Sequence, residues 1–281
     1  MSTLADWQAL ILGIVQGITE PLPISSSGHL AIVPWLFGWP SVGEDSSFNK
    51  TFDVALHMGT LLAVVIYFRR DLVKITKSAW RGLAERKVDD FERKLPWYIA
   101  LSAVPAAVAG ALLTDLFEGP LSEPWIIGVQ LIAFGLVLYA ADRLLAHHKL
   151  MDQMVVNDAA FIGVAQTLAL MPGVSRSGIT ISAGLSRGFN RESATRFAFL
   201  MSVPIIFGAG VFKGYETFVA GDGLPDGATS AFVIGIISSA ITGYLAIAFL
   251  LRYVRTHSFL PFVVYRCGLG VLVLAAVVIR A

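Results

Sequence analysis

Long apolar runs separated by short polar segments dominate this chain. Six stretches, at 52–68, 97–115, 125–141, 196–213, 230–251 and 260–280, are predominantly apolar and approach the ~20 residues that cross about 30 Å of hydrocarbon, which predicts six uninterrupted transmembrane helices. Two further stretches, 9–38 and 159–185, are apolar at both ends and broken in the middle. Pro21 and Pro23 break the first beside Ser25-Ser26-Ser27-Gly28, and Pro172 and Gly173 break the second beside Ser175-Arg176-Ser177-Gly178. Each predicts a re-entrant helix-loop-helix pair, because broken backbone at membrane depth is tolerated only where protein buries it or where it lines a wet cavity. Residues 1–8 are expected to form a short interfacial lead-in without the features of a removable signal peptide.

The distribution of Lys and Arg orients these elements. Segment 69–96 carries Arg69, Arg70, Lys74, Lys77, Arg81, Arg86, Lys87, Arg93 and Lys94, so the positive-inside rule assigns it to the cytoplasm. Alternation then places 116–124 and 214–229 outside, and neither contains Lys or Arg. Segments 142–158, 186–196 and 252–258 fall inside with Arg143, Lys149, Arg187, Arg191, Arg196, Arg252 and Arg255.

The chain also matches itself at an offset of 150, pairing Gly13 with Gly163, Gln16 with Gln166, Ser25 with Ser175, Ser27 with Ser177 and Gly28 with Gly178. The predicted organisation is a first repeat over 1–141, a cytoplasmic linker over 142–158 and a second repeat over 159–281. Each repeat holds one re-entrant pair and three crossings, an odd number that turns the second repeat upside down. Two re-entrant pairs entering from opposite faces can meet near the midplane, where inverted-repeat membrane proteins build their sites.

Composition narrows the class further. The chain is 56% hydrophobic and 15% charged, with a mean hydropathy of +0.70, against roughly 25% charged in soluble domains. A formal net charge of +1 without a large basic patch argues against nucleic-acid binding. Cys267 is the one cysteine, which excludes an intrachain disulfide and a CxxC metal site.

Polar chemistry gathers at the two breaks. Gln16 and Glu20 share a face of the first half-helix, which must end near Glu20 because Pro21 disfavours helix before it. Ser25, Ser26 and Ser27 lead into Gly28-His29, so hydroxyls, backbone N–H groups and the positive end of the next half-helix converge on an anion site. The second break adds Arg176, flanked by Ser175, Ser177 and Thr180, and Arg recognises phosphate or carboxylate with a planar fork. Serines at helix breaks also serve as caps, and Glu20 with Arg176 can act as a structural ion pair. Yet a charge at the bilayer centre costs about 2.5–3.5 kcal/mol, and Glu20, His29 and Arg176 concentrated among serines favour a functional site. Gly13 and Gly17 form a GxxxG pattern suited to close helix packing. Asp53 and His57 lie in the first crossing as further candidates, and Tyr265 and Arg266 in the last crossing read as a buried polar anchor.

The run Gln16-Gly17-Ile18-Thr19-Glu20-Pro21-Leu22-Pro23-Ile24-Ser25-Ser26-Ser27-Gly28-His29-Leu30 and the run Pro172-Gly173-Val174-Ser175-Arg176-Ser177-Gly178-Ile179-Thr180 resemble the two signatures of the undecaprenyl-diphosphate phosphatase (bacitracin-resistance protein) family. Similarity extends to Phe52-Asp53-Val54 and Tyr265-Arg266. The resemblance implies hydrolysis of a polyprenyl diphosphate to its monophosphate, recycling the lipid carrier of bacterial cell-wall synthesis in the cell membrane, with a site opening toward the periplasmic or outer side. By the same resemblance Ser26, Glu20, His29 and Arg176 match catalytic or phosphate-binding positions, and Gln16, Ser25, Ser27, Gly28, Ser175, Ser177 and Thr180 line the substrate site. Gln16 stands where the first signature often has a carboxylate, which weakens a two-carboxylate metal scheme, since an amide offers Mg²⁺ or Ca²⁺ only its carbonyl oxygen. A divalent cation, Mg or Ca, would use Glu20 and Asp53. No organic cofactor is expected. The expected partners are the lipid diphosphate, the membrane and a second copy of the chain as a homodimer, with no nucleic acid.

The expected chemistry has Ser26 attack the terminal phosphoryl group, Glu20 or His29 take its proton, and Arg176 stabilise the equatorial oxygens, after which water releases phosphate. Direct attack by water, with Ser26 only orienting it, is the alternative. The absence of GxxxxGK[ST] argues against a nucleotide-driven pump. A transporter or lipid flippase is the competing class, since inverted repeats with broken helices also build transporters; a nucleophile-like Ser beside an acid and an imidazole favours the enzyme.

Overall fold

The computed structural model describes residues 4–39, 46–118, 120–221 and 223–280. The described chain is helical throughout its regular structure: α1 Asp6–Thr19, α2 Ser26–Phe37, α3 Ser46–Tyr67, α4 Arg69–Glu85, α5 Phe91–Glu118, α6 Pro124–Leu144, α7 Val156–Gln166, α8 Arg176–Ser186, α9 Arg191–Phe218, α10 Thr229–Tyr253 and α11 Leu260–Arg280. Among these, α3, α5, α6, α9, α10 and α11 are long and apolar enough to cross a membrane. The protein is an all-α membrane protein with six candidate spans, as the apolar runs predict.

Burial departs from that of a soluble globule. Leu112, Val278 and Ile279 are 76%, 77% and 84% exposed, while Gln16, Ser25, Thr195, Ser202, Ser239 and Arg266 are completely buried. Apolar side chains facing outward and polar ones inward suit a hydrocarbon solvent, in which every interior polar group must find its partner within the protein.

The four helices around the breaks are short. At 1.5 Å per residue, the 14 residues of α1 and 12 of α2 extend about 21 and 18 Å, and the 11 each of α7 and α8 about 17 Å, all less than the ~30 Å of a hydrocarbon core. Their packing is exchanged between the two halves of the chain. The first short helix of each half lies against the second long span of the other half, α1 on α10 and α7 on α5. Equivalent glycines make both contacts. A Cβ on Gly13 would fall 2.5 Å from the Gly235 carbonyl oxygen, and one on Gly163 would fall 2.7 Å from Ser102 Cα. Gly17 sits deeper in the α1–α10 seam, where a Cβ would stand 2.5 Å from the Ser239 carbonyl oxygen. The GxxxG pattern is therefore a packing seam, as its spacing suggests.

Two expectations need adjustment. The basic segment 69–96 is largely an amphipathic helix, α4, with Lys74 in its second turn meeting Glu92 of α5 at 2.6 Å. The same cations give this helix its polar face. The interfacial lead-in ends earlier than expected, since α1 begins at Asp6 with the Gln8 side chain accepting from the Ala5 N–H.

Candidate active site

Helix α1 stops where the sequence removes its continuation, and Thr19 turns its hydroxyl back to the Val15 carbonyl at 2.7 Å. The chain then passes through Pro21 and Pro23 to Ser25, which caps α2 by accepting the Gly28 N–H at 3.3 Å. The second break repeats this geometry: Ser175 caps α8 by accepting the Gly178 N–H at 3.1 Å. Both capping serines hold φ at +74°, with ψ of 93° and 114°. A non-glycine residue in that region costs on the order of 1–3 kcal/mol, so two copies of one strained turn are being held by what surrounds them.

Arg266 supplies much of that hold. Fully buried on α11, its guanidinium donates to the carbonyls of Pro23 at 3.3 Å, Gly173 and Val174 at 2.9 Å each, and Leu131 at 3.3 Å. One side chain thus ties both breaks to each other. Ser177 adds a second tie, donating to the Leu22 carbonyl at 2.9 Å. Gly28 and Gly173 face each other across the turns, a Cβ on Gly28 lying 3.5 Å from Gly173 Cα.

The consequence is a convergence on Glu20. Its Oε1 accepts from Arg176 Nη2, and its Oε2 accepts from the Ser26 hydroxyl and from Gln16 Nε2, the last at 3.3 Å. Ser26 and Arg176 are the first residues of α2 and α8, so two equivalent helix starts present a hydroxyl and a guanidinium to opposite oxygens of one carboxylate. Beside them is a cavity of about 230 Å³ lined by Glu20, Ser26, Ser27, His57, Gln166 and Arg176, with Val54, Ala106, Leu170, Ile205 and Ile206 among its apolar wall. His57 and Ile205 lie near the middle of their spans, which puts the cavity at about half the membrane depth.

Not every expected residue lines this cavity. Ser25 and Ser175 are caps, Ser177 is a strut, Gly28 is a contact point, and Thr180 bonds the Arg176 carbonyl of its own helix at 2.7 Å. His29 is the main departure. Its Nδ1 meets the Ser25 carbonyl at 2.6 Å and its Nε2 meets the Tyr265 hydroxyl at 2.8 Å. A carbonyl only accepts, so Nδ1 carries hydrogen, and Nε2 accepts from tyrosine when the ring is neutral. Both nitrogens are committed to holding the turn, and His57 rather than His29 stands beside Glu20, its Nε2 3.4 Å from Oε2. Gln166 is the residue the motifs do not single out, although the repeat that pairs it with Gln16 gives the signal.

Both Glu20 oxygens are engaged, and among the described residues no three of His, Cys, Asp and Glu form a group able to hold a metal. Asp53 meets His57 through its backbone carbonyl, at 2.7 Å.

Short helices meeting beside the middles of two candidate spans bring together a carboxylate, a serine and an arginine, the groups expected of a site for an anionic, phosphate-like group. Comparison with known proteins agrees in class. Residues 9–272 match the family model of bacitracin resistance protein BacA, and the chain belongs to that family. It is 51% identical over 263 residues to a protein of Pelobacter propionicus, covering 93% of each chain, and 48% identical over 267 residues to one of Geobacter metallireducens, covering 94% of this chain and 96% of that one. It is 42% identical to a Gemmatimonas aurantiaca protein over 279 residues, 98% of each. All three relatives are named undecaprenyl-diphosphatase.

Proposed function

We propose that this chain is an undecaprenyl-diphosphate phosphatase of the bacterial cell membrane, which hydrolyses the lipid diphosphate to its monophosphate and inorganic phosphate and so returns the carrier to cell-wall synthesis. The observation that carries this reading is the shared carboxylate: Ser26 and Arg176 bond the two oxygens of Glu20 at the edge of a cavity among apolar spans. A diphosphate lipid needs cationic and N–H donors for its head and an apolar groove for its tail.

In this mechanism the terminal phosphate displaces Arg176 from Glu20, because a guanidinium fork serves phosphate as well as carboxylate. Glu20, released from its ion pair, accepts the Ser26 proton while Ser26 Oγ attacks the phosphorus. Arg176 and the starts of α2 and α8 stabilise the charge on the equatorial oxygens. The prenyl monophosphate leaves, and water then releases phosphate from the serine. Ser25, Ser175, Ser177, His29 and Arg266 position these groups. No step is routed through a metal ion.

The finer architecture belongs to the same proposal. Two repeats, 1–141 and 159–281 joined by 142–158, each hold one re-entrant pair, inverted with respect to each other. The equal turns at Ser25 and Ser175 and the exchanged packing of α1 and α7 support this arrangement. With segment 69–96 cytoplasmic, the cavity serves a head group arriving from the periplasmic or outer side. Association as a homodimer is read by crosslinking in native membranes. The function is tested by phosphate release from undecaprenyl diphosphate with the purified protein in detergent; absence of release by wild-type protein, under conditions where it binds the lipid, would favour a transporter.

A further inference from the structure

The Ser26 proton has a second place to go. His57 Nδ1 lies 2.7 Å from the Asp53 carbonyl oxygen, an atom that can only accept, so that nitrogen bears a hydrogen in every protonation state of the ring. His57 Nε2 lies 3.4 Å from Glu20 Oε2, the same oxygen that accepts the Ser26 hydroxyl. Between Nε2 and Oε2 there is room for one mobile proton. With it present, the two groups attract each other; with it absent, two lone pairs face each other and the pair is ready to accept. His29 Nε2, by contrast, faces the Tyr265 hydroxyl rather than Glu20.

We infer that His57 is the proton acceptor behind Glu20, forming with it a two-group relay that carries the Ser26 proton away from the reacting phosphorus. This rests on the phosphatase function proposed above and adds a residue to it. The balance is simple. As the Ser26 Oγ–P bond forms, the Ser26 O–H proton passes to Glu20 Oε2 and on to His57 Nε2, while the bridging P–O bond breaks and its electron pair leaves on the prenyl monophosphate. When water attacks the phosphoserine, one water proton returns through Glu20 to Ser26 Oγ as the Oγ–P bond breaks. The proton stored on His57 leaves through the cavity with inorganic phosphate, restoring the empty pair.

The surroundings suit such a store. The charged groups around His57 are Glu20, Arg176 bonded to Glu20, and Asp53 on its own helix. The neighbouring spans α5 and α9 present only Ala106, Ile205, Ile206 and Ala209 to this cavity, so no competing base lines it from those sides. A proton delivered to His57 stays next to Glu20 until the product leaves.

The test compares wild type, His57→Gln and His57→Gly in phosphate release from undecaprenyl diphosphate across pH. Glutamine keeps a donor toward Glu20 but cannot take a proton. The expected result for His57→Gln is a fall in kcat of about a hundredfold with KM changed no more than a few-fold. Filling the proton vacancy early inhibits, so the wild-type rate falls as pH drops; in His57→Gln that acid limb moves to lower pH, leaving only a carboxylate to titrate. Added imidazole should raise the rate of His57→Gly, whose deletion enlarges the cavity. A His57→Gln enzyme with wild-type kcat, or one slowed with an unchanged pH profile and no imidazole rescue in His57→Gly, overturns the relay while leaving the phosphatase intact. If wild-type protein releases no phosphate, the phosphatase proposal fails and the relay with it.

Discussion

Removing the Ser26 hydroxyl separates the covalent route from direct attack by water. In the folded chain that hydroxyl donates to Glu20 Oε2, but Glu20 is held independently by Arg176 and by Gln16 at 3.3 Å. Ser26→Ala therefore leaves the carboxylate anchored, and α2 keeps its cap because Ser25, not Ser26, accepts the Gly28 N–H. The change in stability should be small. An orienting hydrogen bond is worth about 0.5–1.5 kcal/mol, or roughly tenfold in rate. Loss of the nucleophile deletes the covalent route, and the expected loss is at least about a thousandfold, equivalent to ~4 kcal/mol in the barrier. The measurement is the initial rate of phosphate release in detergent beside equilibrium binding of the lipid diphosphate, which the variant should retain. Ser25→Ala and Ser27→Ala should be less affected. A Ser26→Ala enzyme with a tenth of wild-type turnover would show that serine is not the obligatory nucleophile, leaving water activated by Glu20 as the attacking species.

Arg176→Lys replaces a fork with a point charge and should cost about a hundredfold in kcat while the protein remains folded in detergent; near-wild-type turnover would remove the phosphate-clamp role. Gly17→Ala would drive a Cβ to 2.5 Å from the Ser239 carbonyl oxygen and 2.8 Å from the Gly243 nitrogen, an overpacking that should cost about 1–3 kcal/mol in thermal stability. Gly208→Ala, whose Cβ would meet nothing within 4 Å, should change stability little in the same assay, and equal effects of the two would discredit the packing seam. In a Cys267→Ala background, cysteines at Ser122 and Ser230 should react with an impermeant reagent applied to intact cells, and one at Ser78 should not; the reverse pattern would invert the orientation.

What was legible in the sequence follows from which physical signals are local. Span length and apolar content are local sums, so the six crossings could be placed from composition, with ends that differ by a few residues where helices such as α5 and α9 run to 28 residues each. The breaks were legible because proline forbids helix in a definable place. The serine turns were legible as caps, but their positive φ was not, since nothing in a Ser-Ser-Ser run announces a left-handed backbone. The partner of His29 was hidden for a similar reason. Adjacency to the motif suggested a base, whereas the fold turns its ring toward Tyr265, 236 residues away. His57 was the less conspicuous candidate because α3 meets the end of α1 only through tertiary packing. Arg266 was recognisable as a buried anchor, but its four carbonyl partners come from three separate segments that no local pattern connects.

The equivalence of positions 26 and 176 gives these observations a common origin. Each is the first residue of a short helix, each follows a serine at the same φ of +74°, and each reaches the same carboxylate. Two copies of one turn launch their side chains from nearly the same local frame, so one difference between them converts a symmetric pair of caps into opposed functions. Serine at one launch point supplies a hydroxyl; arginine at the other supplies a cation. A single turn could not do this, because one first residue supplies either the attacking oxygen along the axis or the cation on the equatorial oxygens, not both. Opposed half-helices provide both directions and bring two positive helix ends to the anion. The asymmetry then falls to Glu20, which stands at the end of α1 with no carboxylate at the equivalent end of α7, where the repeat has Leu170. One carboxylate between two helix starts holds the site together through Arg176, and in the proposed mechanism it becomes free to accept a proton when phosphate takes its place. On that proposal the same ion pair makes proton removal depend on the presence of substrate.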